Sequence, residues 1–142
     1  MQAANVYKFG DRVIVCSLSK TTAGVWIVNS SVTAVAASEK TRVGALVLEA
    51  LDGSATGILH PKVWSGIFDS VLRAAGVKTY SSFMKKAALI DVRREKASIM
   101  LTPMQNLGPE EGFLPTESAK RALESPSPDV LGREIEQLLA TR

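Results

Sequence analysis

The chain has 142 residues, a net charge of +3, 46% hydrophobic residues and one cysteine. These values fit one globular domain over residues 1–142 with a sizeable core, and they exclude a disordered chain or a disulfide scaffold. The longest apolar runs are too short and too interrupted to span a bilayer. The first residues, "MQAANVYKFGDR", lack the basic and apolar regions of a secretory signal, so a reducing cytoplasm is the expected compartment.

In chain order, "NVYKF" and "RVIVCSL" flank Gly10-Asp11 and predict a hairpin. "SKTTAG" reads as a turn, "GVWIV" as a third short strand and "SSVTAVAA" as a fourth. Ser38 is placed to cap a helix whose apolar stripe is Val43, Leu46, Val47, Ala50 and Leu51, with Asp52-Gly53 as its end. Pro61 suits the start of a second helix carrying Trp64, Ile67, Phe68, Val71, Leu72 and Ala75, and Gly76 suits its left-handed end. A short third helix from Thr79 would turn Tyr80, Phe83 and Met84 inward.

"ALIDVRR" and "SIMLT" predict two strands joined tightly at Glu95-Lys96. The second is expected to stop at Thr102-Pro103, where the loop "LTPMQNLGPEEGF" begins to turn. "PTESAKRAL" follows as a polar stretch with a short edge strand. Ser127 and Pro128 open a last helix with the stripe Leu131, Ile135, Leu138 and Leu139. The order predicts an α+β fold, a mainly antiparallel sheet with about four helices packed on it.

Charge is unevenly spread. Residues 62–96 hold eight bases against three acids, a net +5, whereas residues 97–142 hold four bases against seven acids, a net −3. The acidic third is either a set of solvated faces or a surface for a basic partner. The basic stretch invites a nucleic-acid reading through Lys85, Lys86, Arg93, Arg94 and Lys96. That reading needs exposed aromatics nearby, yet Tyr80 and Phe83 have buried spacing.

Catalytic templates fail for want of residues. A zinc site needs several His and Cys ligands at short spacing, and the chain holds one of each, His60 and Cys16. Cys16 sits on an alternating strand as a small buried hydrophobe, and nothing local supports a Cys16–His60 dyad. His60 precedes Pro61, where a ring nitrogen would cap the helix start. "SKTTAG" lacks the glycine spacing of a phosphate loop. Glu110 and Glu111 are adjacent loop carboxylates, a poor arrangement for converging on one substrate atom.

Four stretches, "SKTTAGVWI", "GALVLEALDGSATGILHPKVW", "AAGVKTYSSF" and "LTPMQNLGPEEGF", together and in this order resemble the CdiI-type immunity proteins of bacterial contact-dependent growth inhibition systems. The resemblance runs from about Asn5 to the last helix. It implies a cytoplasmic inhibitor with no catalysis of its own, forming a heterodimer with the C-terminal domain of a cognate CdiA-type toxin. In such systems the toxins are often nucleases, frequently acting on tRNA, and inhibition is stoichiometric, by covering the active site or substrate surface. No cofactor, metal, membrane, small-molecule substrate or direct nucleic-acid contact is implied.

The resemblance assigns no contact residues. A nuclease cleft is basic, so exposed carboxylates are the expected contacts: Glu110, Glu111 and Glu117 foremost. Phe113 and Trp64 would serve as anchors if exposed, although the stripe places Trp64 in the core. A strand near "PTESAKRAL" could pair with a partner strand. A small nucleic-acid-binding module using the basic 78–96 region remains the alternative.

Overall fold

The computed structural model describes residues 1–140. In chain order they form β1 (Gln2–Phe9), β2 (Arg12–Thr21), β3 (Trp26–Ala36), α1 (Lys40–Asp52), β4 (Thr56–Ile58), α2 (Asp69–Ala75), α3 (Tyr80–Met84), β5 (Ala88–Glu95), β6 (Ser98–Asn106), β7 (Phe113–Pro115), a 3₁₀ turn (Glu117–Ala119), β8 (Arg121–Glu124) and α4 (Pro128–Ala140). All eight strands join one sheet in the order β3-β2-β1-β5-β6-β7, with β4 added beside β2 and β8 beside β6. Only the β2–β4 pair is parallel. This is the expected α+β architecture.

Period-two alternation sends side chains to both faces of the sheet. On the rear face Ala4, Val6, Val13, Val15, Ile90, Val92, Ile99 and Leu101 pack under α1 and α4. On the front face Tyr7, Ile14, Cys16 and Leu89 pack under α2 and α3. Both faces are therefore apolar, which is why β2 is buried almost continuously from Val13 to Ser19. Tyr7 and Phe9 meet Phe83 at 5.2 and 5.4 Å between ring centroids, and Phe68 completes the aromatic layer.

The α1–α4 crossing is unusually close. A Cβ placed on Gly44 would stand 1.9 Å from the Pro128 carbonyl oxygen, and one on Gly132 would stand 2.0 Å from that of Lys40. Val43, Val47, Leu131 and Ile135 fill the core beside this backbone contact. Leu131, Ile135, Leu138 and Leu139, the expected stripe of α4, are all buried.

Several boundaries differ from expectation. The third and fourth strands are one, β3, running through "NSS" because β2 pairs along its length around an irregularity at Cys16 and Leu18. Ser38 does not cap α1. Ala37 N–H is held by the Asp11 carbonyl, which leaves Glu39 at the cap position with no side-chain cap bond. The helix expected from Pro61 begins only at Asp69, since Gly66 has φ +85° and breaks the helical path. Its expected end at left-handed Gly76 stands. β6 continues past Pro103 to Asn106. The Pro103 carbonyl accepts from Thr116 N–H at 2.8 Å, so its missing N–H faces the gap between β8 and β7, where no ladder bond is lost.

Candidate functional site

The β6–β7 connection is a small closed loop. Leu107 N–H donates to Gly112 O, Gly112 N–H to Gly108 O, and Gly108 N–H to Asn106 Oδ1. Gly108 and Gly112 take φ of +96° and +75°, which side chains resist. Asn106 Nδ2 donates to Met84 O at 2.7 Å and Ala87 O at 2.8 Å, tying the loop to the end of α3. Glu110 and Glu111 stand exposed at its tip, and neither makes an ion pair among the described residues. Phe113, half-buried, lies 6.2 Å from Tyr7, so its ring serves the front core on one side. Glu117 is exposed in the 3₁₀ turn and pairs with Lys120.

Most of the acidic third is neutralised locally. Arg121 pairs with Glu134, Arg133 with Asp129 at 3.7 Å and Lys40 with Glu136 at 3.1 Å. Exposed pairs like these contribute about 0–1 kcal/mol each. They do remove charge from the surface a partner meets. The unpaired acids of this third among the described residues are Glu110, Glu111 and Glu124.

The basic stretch is not one patch. Lys85 and Lys86 precede β5, whereas Arg93 and Arg94 lie at its far end, roughly 20 Å away at strand rise. Arg93 and Arg94 also point to opposite faces: Arg93 pairs with Asp91 at the front, and Arg94 reaches Asp52 at 2.7 Å and Gln2 at 3.1 Å behind. Phe83 is fully buried as expected, but Tyr80, expected inward, is 40% exposed at the first position of α3 and packs only edge-on against Phe68. A groove of about 910 Å³ lies at the Lys85–Lys86 end between Lys8, Met104 and Pro109.

Cys16 and His60 are not brought together. Cys16 is fully buried in mid-β2, where burial pushes its thiol up to about 12. His60 Nδ1 lies 2.9 Å from Thr21 Oγ1, at the other end of that strand and roughly 15 Å along it. This Thr21 contact, not a helix cap, is the role the structure gives His60.

His60 leads to a surface that periodicity misassigns. Thr21 Oγ1 also accepts from Val25 N–H, and Thr22 N–H donates to Ile58 O. These bonds fasten the loop before α2 to the β2–β3 turn. Trp64 is not a core residue: it stands 49% exposed on this loop, edge-on to His60 at 5.2 Å. Leu59 and Val63 beside it are 83% and 68% exposed. Across a cleft of about 350 Å³ lies Trp26, the chain's other tryptophan. The Arg93 guanidinium sits 4.9 Å from the centre of its ring and is held by Asp91 through Nε and Nη2. Lys20 Nζ lies 5.9 Å from the same ring. The local signal was Gly66, between Trp64 and Phe68, which ends any helical reading of that stripe.

Among the described residues no group of three or more His, Cys, Asp or Glu is placed to hold a metal ion, and no helix is long and apolar enough to cross a membrane. No protein-family model matches the chain, and no curated protein matches it in sequence. Its fold is similar to that of solved structures. One is a protein of unknown function from Neisseria meningitidis, with TM-score 0.81, 14% identity, and coverage of 99% of this chain and 94% of that one. Another is a chain of the CdiA-CT/CdiI toxin and immunity complex from Yersinia pseudotuberculosis, with TM-score 0.79, 16% identity, and coverage of 98% and 95%. At these identities the likeness is one of fold, and it spans nearly the whole of each chain.

Proposed function

We propose that this chain is an immunity protein that binds a cognate CdiA-type toxin C-terminal domain, a nuclease, and neutralises it in a one-to-one complex in the cytoplasm. The observation that carries the reading is the fold likeness, over 98% of the chain, to a chain of a toxin and immunity complex. Inhibition works by occlusion of the toxin's active site or substrate surface, without chemistry by this chain. Two exposed features suit such a role. The unpaired Glu110–Glu111 tip presents carboxylates to a basic cleft, and the Trp64 loop presents apolar surface. Glu117 contributes less, because Lys120 screens it. Phe113 holds the loop base against the core.

The test is to mix the purified chain with the toxin domain encoded beside it. Submicromolar one-to-one binding, loss of nuclease activity and protection of cells expressing the toxin are the expected results. Absence of both binding and protection would refute the proposal. The division of the 78–96 bases between two ends and two faces disfavours the nucleic-acid alternative.

A further inference from the structure

We infer that the cleft between Trp26 and Trp64 grips the protein partner, taking an apolar side chain flanked by carboxylates. This rests on the reading of the chain as an inhibitor of a toxin domain and adds where and by what chemistry it holds that domain. The two tryptophans are 38 positions apart in sequence, yet they line one cleft. Trp and Arg are the residue types that most often dominate protein–protein affinity. Here Trp26 is already clasped by Arg93, and Arg93 by Asp91. The Trp64 loop is already pinned through His60 and Thr21. Little side-chain freedom remains to be lost on binding. Leu59 and Val63, on the same loop as Trp64, add exposed apolar surface.

Charge selects the occupant. Lys20 Nζ stands 5.9 Å from the Trp26 ring at the edge of the cleft, and it makes no ion pair among the described residues. The one carboxylate in the cleft wall, Asp91, is taken by Arg93. Asp69 stands beyond Gly66 at the start of α2. A second copy of this chain would bring the same Lys20 charge against itself. A single-stranded nucleic acid needs open ring faces, but Arg93 covers a face of Trp26 and His60 abuts Trp64. A protein surface with an apolar knob and acidic flanks satisfies all these features.

The test labels the chain with 5-fluorotryptophan, which gives one fluorine signal per tryptophan, assigned with Trp64→Phe. One equivalent of the toxin domain is expected to move both signals. Val63→Asp, at an exposed position that folding does not need, should weaken binding roughly tenfold or more. Lys20→Glu should slow association about threefold at low salt, with the difference shrinking as salt rises. If the complex forms while both signals stay put and Val63→Asp binds within twofold of the parent, the cleft is not the grip, although the inhibitor reading survives. If no complex forms, both fall. Signals moved by an RNA oligonucleotide and not by the toxin domain would also overturn the inference.

Discussion

Replacing Gly44 by alanine places a methyl group 1.9 Å from a backbone carbonyl oxygen of α4, where ordinary contact begins near 3.4 Å. The obstruction is backbone, with no flexible tip to swing away, so the helices must part by about 1.5 Å. A gap of that size removes much of the dispersion between Val43, Val47, Leu131 and Ile135 and the layer beneath them. Overpacking costs about 1–3 kcal/mol, and this case belongs at the upper end. Alanine returns about 1 kcal/mol through helix propensity. The net loss is about 2 kcal/mol, or a fall of about 7 °C in Tm for a domain of this size. Thermal and urea unfolding followed by circular dichroism would measure it. Gly44→Ala with Gly132→Ala should cost less than the two singles together, since the helices part only once. A Tm unchanged or raised by Gly44→Ala would refute the argument, because propensity would then have won over contact.

Three other outcomes are expected. Cys16 keeps its proton to about 12 when folded and ionises at an ordinary thiol pKa when unfolded, so stability should be level to about pH 9 and fall above it. Burial raises the Tyr7 hydroxyl as well, which steepens the fall at higher pH; equal urea midpoints at pH 7 and pH 10 would contradict this. Asn106→Ala leaves the Met84 and Ala87 carbonyls without their donor and should cost about 1–3 kcal/mol, with faster amide exchange over residues 83–87 as the local signature. Reversing Glu110 and Glu111 to lysine should slow toxin association several-fold at low salt while Tm moves by no more than about 1 °C. Identical association rates would remove the loop tip from the interface.

Periodicity made the rear layer legible. The stripes of α1 and α4 and the alternation of β5 are local patterns, and both cores follow from them. The failures had tertiary causes. Pro103 reads as a stop unless it is known that its N–H side faces a gap between two short strands. The three residues of β4 carry too little pattern to reveal a parallel partner in β2. Trp64 fits a helical stripe by spacing, and only the left-handed turn at Gly66 puts it outside. The acidic third is visible in composition, but its ion pairs are not, because Arg121–Glu134 and Lys40–Glu136 join separate elements. The tryptophan cleft was invisible for the same reason. Its walls come from β1, β2, β3, β5, β6 and the loop before α2.

The two-faced sheet has a consequence for how such chains change over time. Side chains sealed between the sheet and α1 and α4 are not those that rim the cleft or stand at the Glu110–Glu111 tip. Substitutions that retune the outward surface therefore draw on positions that the rear layer does not use. Where those positions are exposed, as at Val63, Glu110 and Glu111, a lineage can exchange one surface chemistry for another by small steps with little change in the scaffold's melting behaviour.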